Sequence, residues 1–151
     1  MSKTVADAMT TDPSTVTRRT TAVEVARLMR EQDIGAVPIV DGSALVGIVT
    51  DRDLAMRVVA EGRDPTRTYV EEIATPEPRA AQAGESLDLA YERMAAWRVR
   101  RLPVVDGTRL VGMLAQADIV HELKDKKAGQ LVDEISQPGQ MPYGSREVGL
   151  D

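Results

Sequence analysis

The chain has 151 residues, which is enough for one compact domain or for two small motifs that share a core. Hydrophobic residues make up 42% and Phe is absent, so we expect a globular protein with an aliphatic core. A net charge of −5 argues against nucleic acid as the main partner. The sequence has no run of about 20 apolar residues of the kind that would predict a membrane-spanning helix. The absence of cysteine excludes a disulfide framework and favours a cytoplasmic location.

An internal repeat dominates the sequence. Sliding the chain by 65 residues aligns it with itself without a gap, and 12 of the 49 pairs between Val5–Asp53 and Val70–Asp118 are identical. The identities fall mainly on prolines, glycines, small clusters of valine and leucine, and carboxylates. Many of these are positions where backbone geometry is demanding. We therefore interpret the chain as two copies of one structural unit.

The first copy is expected to form a β-α-β-β-α unit. Thr21 and Glu24 have the spacing of a capping box, and apolar residues at helical spacing follow them. Asp41 and Gly42 supply turn residues between two apolar runs. In chain order, the predicted elements are an extended lead at 13–16, a helix from Ala22, strands at 36–40 and 44–49, and a helix from Asp51.

The second copy follows the same order after a polar, turn-rich link at 61–65. Its predicted elements are a lead at 78–81, a helix from Leu87 capped by Ser86, strands at 101–105 and 110–114, and a helix from Gln116. One copy alone would expose a face of its sheet. We therefore expect an α/β fold of the α+β type, in which two motifs pack through their sheets with pseudo-two-fold symmetry. The expected domains are motif 1 at 1–66, motif 2 at 67–127, and a short helix with a loose tail at 128–151.

The ordered signatures of both copies resemble a tandem pair of cystathionine-β-synthase (CBS) domains, or Bateman module. They also resemble the stand-alone pairs of the hypoxic-response type. The signatures are Pro38-Ile39-Val40-Asp41 with Leu45-Val46-Gly47-Ile48-Val49-Thr50-Asp51-Arg52-Asp53, and Pro103-Val104-Val105-Asp106 with Leu110-Val111-Gly112 and Asp118. The resemblance implies pairs that dimerise and two clefts between the motifs. In family members these clefts commonly bind AMP, ATP or S-adenosylmethionine, some bind NAD or metal ions, and some have no known ligand.

Thr50 and Asp53 form the sharpest candidate ligand site. They follow an apolar strand at the start of a helix, where free backbone N–H groups favour phosphate. The resemblance implies that the Thr50 hydroxyl lies near ribose or phosphate and that Asp53 accepts hydrogen bonds from the ribose hydroxyls. The alternative is a plain capping box, which would be present whether or not a ligand binds.

The second copy has Ala115 in place of the threonine but keeps Asp118. A carboxylate kept without its capping partner favours a ribose-binding role for Asp118. Losing the hydroxyl should weaken phosphate recognition. We therefore expect two unequal clefts, with the Asp53 cleft the better nucleotide site.

Basic and apolar residues complete the expected ligand contacts. In the family, residues at the positions of Arg100 and Arg101 can reach ligand phosphates across the cleft, and arginine suits phosphate through bidentate bonds. The alternative is a solvated basic patch, or ion pairs at a dimer surface. Gly35 and Ala36 are expected to leave room for an adenine ring, which would lie against an apolar wall of Val16, Val37 and Ile39.

Nothing in the sequence predicts an enzyme. There is no P-loop or glycine-rich dinucleotide motif, and one histidine without cysteine makes a zinc site implausible. We interpret His121 as a partly buried helix residue and Trp97 as a core or dimer-interface residue. The expected function is a homodimeric regulatory module that senses an adenine nucleotide or an S-adenosylmethionine-like ligand, requires no cofactor, and signals to an unidentified protein partner. A scaffolding dimer with vestigial clefts is the alternative.

Overall fold

The computed structural model describes residues 3–128, so the short helix and tail predicted at 128–151 lie almost wholly outside the described residues. The elements are α1 (Val5–Ala8), β1 (Thr10–Thr11), α2 (Ala22–Gln32), β2 (Ala36–Asp41), β3 (Ala44–Thr50), α3 (Asp51–Leu54) with a π-helical turn (Ala55–Val59), α4 (Val70–Ile73), β4 (Thr75–Pro76), β5 (Ala81–Gln82), α5 (Leu87–Trp97), β6 (Arg101–Asp106), β7 (Arg109–Ala115) and α6 (Gln116–Ala128). The predicted α/β class is confirmed.

The two motifs join in one sheet of order β2-β3-β7-β6-β5, with β1 paired to β7 and β4 paired to β3. The motifs meet where Ala44 lies opposite Arg109, and these two residues are equivalent in the 65-residue register. Reciprocal bonds of 3.0 Å flank this pair, from Leu45 N to the Thr108 carbonyl and from Leu110 N to the Ser43 carbonyl. A pseudo-two-fold axis therefore passes between the two strands, as the repeat predicts.

The segment that precedes each motif packs on the other motif. The buried Val5 of α1 belongs to the core of the second motif, and β1 then pairs with β7. In the same way, Val70 and Ile73 of α4 belong to the core of the first motif, and β4 pairs with β3. The two motifs are thus tied together by crossed segments.

The crossed segments turn between the motifs at equivalent positions. Asp12 and Glu77 both adopt left-handed backbone conformations, with φ of 50° and 47°. Gly47 and Gly112 permit the crossed segments to lie close to the strands with which they pair. A Cβ on Gly47 would lie 3.2 Å from the Thr75 carbonyl oxygen, and a Cβ on Gly112 would lie 2.7 Å from that of Thr10. The paired glycines of the repeat are therefore required by backbone packing.

Each motif has an aliphatic core between its helices and its side of the sheet. Helix α2 begins at Thr21, whose hydroxyl accepts from Glu24 N at 3.3 Å while the Glu24 carboxylate accepts from Thr21 N at 2.8 Å. It places Val25 and Met29 against Val37 and Val49. Helix α5 places Ala90 and Met94 in the core of the second motif in the same way. Among the described helices, none combines the length and the hydropathy that crossing a membrane requires.

Candidate functional site

The first helix start brings together Thr50, Asp53, Ala36 and Gly35, which we call the first site. Thr50 ends β3 and caps α3; its hydroxyl accepts from Asp53 N at 3.1 Å, and the Asp53 carboxylate accepts from Thr50 N at 2.9 Å. Both side chains are partly exposed. One carboxylate oxygen of Asp53 and the hydroxyl proton of Thr50 are not used by this box. The capping box is therefore present and leaves groups that a ligand could use.

Small residues line the neighbouring strand of the first site. Ala36 lies opposite Thr50 in the β2–β3 pair, and the Gly35 carbonyl accepts from Asp51 N at 2.9 Å. A Cβ on Gly35 would lie 2.8 Å from a carboxylate oxygen of Asp51. The Asp51 carboxylate thus occupies the space that any larger residue at position 35 would need.

The second helix start has the same backbone and different side chains. Its members are Arg100, Arg101, Ala115, Gln116 and Asp118, which we call the second site. Arg101 lies opposite Ala115 in the β6–β7 pair, and the Arg100 carbonyl accepts from Gln116 N at 2.8 Å. Asp118 lies in the first turn of α6 and is partly exposed.

The strand register places the backbone of Arg100 and Arg101 at the second helix start, just as it places Gly35 and Ala36 at the first. The expected reach of the two guanidinium groups across the cleft toward the Thr50 and Asp53 pair stays a prediction.

The expected apolar wall needs a correction. Val37 and Ile39 are 0% and 2% exposed and pack in the first core. They point the same way because side chains two residues apart lie on one face of a strand. Ala36 and Val16 are partly exposed, and Val16 forms a parallel bridge to Ile39. Of the three expected wall residues, only Val16 therefore remains accessible, beside the small Ala36.

A cluster of arginines around Trp97 was not foreseen as part of a site. The Arg79 guanidinium lies 4.7 Å from the centre of the Trp97 ring and that of Arg93 lies 5.7 Å from it, both within cation–π range. Arg93 also forms an ion pair with Glu85. Trp97 is partly buried against the second core, so the predicted core contact is part of its environment.

The equivalent place in the first motif is different. Ser14 and Gln32 stand where Arg79 and Trp97 stand in the second, and the Ser14 hydroxyl donates a hydrogen bond to the Gln32 side chain. The 65-residue register alone would have revealed this exchange of a small polar pair for a cation–aromatic pair.

An open depression of about 200 Å³ lies away from both sites. It is lined by Thr17, Arg18, Arg19, Val40, Asp41 and Gly42. Its two arginines already have partners, since Arg18 lies 3.9 Å from Asp41 and Arg19 stacks on Tyr69 at 4.2 Å. In the second motif, the Gln82 side chain occupies the equivalent position and bonds to Gly107 N at 3.2 Å. The helix starts are the better candidates for a ligand site, because equivalent carboxylates occur there in both motifs.

Other functional groups are dispersed. Within residues 3–124, no three side chains of the metal-ligating types come together. His121 lies on α6 and is exposed, so the expectation that it is partly buried is wrong.

The family follows from comparison with known proteins. The model of the CBS domain matches residues 5–60 and 70–125, which together cover both motifs. The chain belongs to the CBS-domain family. CBS domain-containing protein YhcV from Bacillus subtilis is 40% identical over 133 residues, covering 87% of this chain and 94% of its own length. Hypoxic response protein 1 from Mycobacterium tuberculosis is 35% identical over 136 residues, covering 89% and 95%. The expected likeness to the hypoxic-response pairs is confirmed.

Two solved structures of CBS-domain proteins share this fold and carry adenosyl ligands. CBSX2, a CBS-pair protein of Arabidopsis thaliana, is 27% identical in its complex with AMP, with a TM-score of 0.71 over 82% of this chain and 98% of that one. The CBS domain pair of protein MJ0100, in complex with 5′-methylthioadenosine and S-adenosyl-L-methionine, is 29% identical, with a TM-score of 0.73 over 84% and 100%.

Proposed function

We propose that this chain is a regulatory sensor that binds an adenosine-containing ligand, such as AMP, ADP, ATP or an S-adenosylmethionine-like molecule, at the two helix starts. One observation carries the proposal: a partly exposed carboxylate, Asp53 or Asp118, occurs in the first turn of the second helix of both motifs. The AMP and S-adenosylmethionine complexes of related CBS pairs support it.

The chemistry of each helix start suits an adenosyl group. An ionised carboxylate is an acceptor only, and a ribose diol offers it two donors. At the first site, the Thr50 hydroxyl can add a further hydrogen bond, and the small residues Gly35 and Ala36 leave room beside it. At the second site, Arg100 and Arg101 replace these small residues with donors for anionic groups.

The crossed segments provide a route for the signal. Each motif is covered by α1 or α4 from the chain segment that leads into its partner, and the connections turn at Asp12 and Glu77. A change in the angle between the motifs must therefore alter these turns or the pairing of β1 and β4. A ligand shifts such an equilibrium by as much as its affinity differs between the two arrangements.

A homodimer is part of the proposal. Met56 and Val59 in the π-helical turn are 53% and 76% exposed, and Val120 on α6 is 37% exposed. These residues lie on the second helices of the two motifs, which makes that surface the candidate for contact with another copy. Sedimentation at micromolar concentration should give twice the 16.4 kDa of one chain.

Thermal unfolding with added ligand tests the binding function. A ligand at a hundredfold excess over its Kd stabilises the folded state by about 2.7 kcal/mol, which for a chain of this size raises Tm by roughly 5–10 °C. We expect such a shift with at least one of AMP, ADP, ATP and S-adenosylmethionine. Asp53→Asn and Asp118→Asn should each reduce it, because the amide keeps the shape of the side chain and loses its charge.

Asp88→Asn is the matched control, since Asp88 is an exposed aspartate in the first turn of α5, away from both sites. Each variant is compared with its own ligand-free Tm, so that any loss of capping is not counted as a loss of binding. If millimolar concentrations of all four ligands leave Tm unchanged, the chain is better described as a scaffolding dimer with vestigial clefts.

A further inference from the structure

The two sites carry opposite charge on the same backbone. Around the second site and the Trp97 cluster, five positions are arginine, and their counterparts in the first motif, 65 residues earlier, include no cation. The second-motif residues are Arg79, Arg93, Arg98, Arg100 and Arg101, and the first-motif residues are Ser14, Leu28, Asp33, Gly35 and Ala36. The carboxylates Asp53 and Asp118 are common to both sites.

The structure gathers the arginines at one end of the second motif. Trp97 ends α5 and holds Arg79 against its ring, Arg98 follows it in a left-handed conformation, and Arg101 then pairs with Ala115 at the start of α6. Glu85 pairs with Arg93, so that arginine contributes little net charge. Four further arginines belong to this part of the motif, with Asp118 as the carboxylate of the site: Arg79, Arg98, Arg100 and Arg101.

The carboxylates around the first site disfavour a ligand that carries a chain of phosphates. Asp33 caps the end of α2, Asp51 lies against Gly35, and Asp53 closes the capping box. Arg52 is the one cation in α3. A carboxylate beside a multiply charged anion is repulsive, whereas an adenosyl ligand without phosphates avoids this cost.

We propose that the two sites sort adenosyl ligands by phosphate content. The second site takes nucleotides with two or three phosphates, which Arg100 and Arg101 hold while Asp118 takes the ribose. This assignment reverses the expectation from the sequence that the Asp53 cleft is the better nucleotide site. The first site takes adenosyl ligands that lack a phosphate chain. The inference rests on the proposed adenosine-binding function and names the ligand class of each site.

The test replaces Arg100 and Arg101 by the residues that the first motif has at the same places. Titration calorimetry of Arg100→Gly/Arg101→Ala with ATP, ADP and adenosine is compared with the unaltered protein. Charge-assisted hydrogen bonds are the strong ones, so we expect ATP binding to weaken about tenfold or more. The Kd of adenosine should change by less than about threefold, because adenosine carries no phosphate for the two arginines to contact.

Trp97 gives a second readout, since it is the one tryptophan of the chain and stacks on Arg79. ATP should change its fluorescence in the unaltered protein, and about tenfold more ATP should be needed in the double variant. Ala36→Arg is the reciprocal change and should raise the ATP affinity of the first site. Position 35 is unsuitable for it because Asp51 fills the space there.

Arg109→Ala is the matched control. It removes one arginine of the second motif at the opposite end of β7, where Ala44 is the first-motif equivalent, and Arg109 there lies 4.0 Å from Asp106. ATP binding should be unchanged in this variant. An ATP affinity unmoved in the double variant would overturn the inference while leaving the adenosine-binding function intact.

Inorganic tripolyphosphate separates the two claims. If it alters Trp97 fluorescence in an Arg100- and Arg101-dependent way while no adenosine-containing ligand binds, the second site is an anion site and the adenosyl function fails. The assignment of phosphate to Arg100 and Arg101 would stand in that case.

Discussion

The two motifs have nearly the same hydrogen-bond register and different side-chain chemistry. In the first, Ala36 at the start of β2 lies opposite Thr50 at the end of β3, while in the second Arg101 at the start of β6 lies opposite Ala115 at the end of β7. The hydrogen bond from Asp51 N to the Gly35 carbonyl is 2.9 Å long in the first motif. Its counterpart in the second motif, from Gln116 N to the Arg100 carbonyl, is 2.8 Å long. A duplicated backbone has thus kept its geometry while its site residues diverged.

The helices that follow the two sites also differ. After Thr50, the capping box forms only one turn of α-helix before a π-helical turn at Ala55–Val59. After Ala115, α6 continues as regular helix from Gln116 to Ala128. The π-helical turn occurs only beside the first site among the described residues, and such turns are often found at functional sites. The two helix starts therefore differ both in capping and in how the helix continues.

The largest expected effect tests which motif the crossed segment supports. Ile73 in α4 is fully buried in the first core, so Ile73→Ala should cost about 2–5 kcal/mol of unfolding free energy, measured by urea denaturation. Hydrogen exchange should show the loss of protection beginning in β2 and β3. Greater loss in β6 and β7 would mean that α4 supports the motif that follows it, and the crossing would be wrong.

Glu71→Ala is the control for that substitution. Glu71 lies in the same short helix and is exposed, so its replacement should change the unfolding free energy by less than about 0.5 kcal/mol.

A smaller effect distinguishes the two crossing glycines. A Cβ on Gly112 would meet the Thr10 carbonyl oxygen and the Met9 sulfur at 2.7 Å, while one on Gly47 would meet its nearest atoms at 3.2 and 3.3 Å. We expect Gly112→Ala to cost about 1–3 kcal/mol and Gly47→Ala less, since the contact with backbone is closer at Gly112 and forces a larger movement.

Gly84→Ala provides the reference, because its Cβ would have no atom within 4 Å. That change should be neutral, or stabilising by up to about 1 kcal/mol. Equal losses at positions 47 and 112 would show that the two crossings are packed alike.

These contrasts show what the sequence could predict. The 65-residue register predicts the strands, the helix starts and the pseudo-symmetry, because prolines, glycines and alternating apolar residues report local backbone geometry. The crossing of α1 and α4 was missed, since helices of four residues carry no periodic pattern. Nothing local to Val5 or Val70 indicates which core receives its side chain.

The site was predicted less completely than the fold. Asp53, Asp118 and Thr50 follow from their places at helix starts, although ligand binding by them stays a prediction. The pairing of Arg101 with Ala115 could have been inferred from the repeat, because the two residues occupy the places that Ala36 and Thr50 have in the first hairpin. The burial of Val37 and Ile39 depends on which strand face meets α2, and the contact of Arg79 with Trp97 depends on side-chain conformations that no sequence pattern encodes.

The smallest expected effect compares the capping of the first long helix in each motif. Thr21 and Glu24 form a full box in α2, and the hydrogen bonds from Thr21 hold the pKa of the Glu24 carboxyl below its ordinary value. Because the folded-state pKa is lowered, the charged form stabilises the fold above pH about 4.3, and this contribution is lost as the pH falls through the folded-state value. The second motif has Ser86 with Leu89, which does not titrate. We expect Glu24→Gln to lower Tm slightly at pH 7, with the difference from the unaltered protein vanishing near pH 3.

Leu89→Glu should complete the box in α5, because Leu89 is 48% exposed and can be replaced without opening the core. Its gain in Tm at pH 7 should likewise disappear at pH 3, as measured by thermal unfolding across that range. A gain that persists at pH 3 would assign the effect to the loss of an exposed leucine rather than to the capping carboxylate.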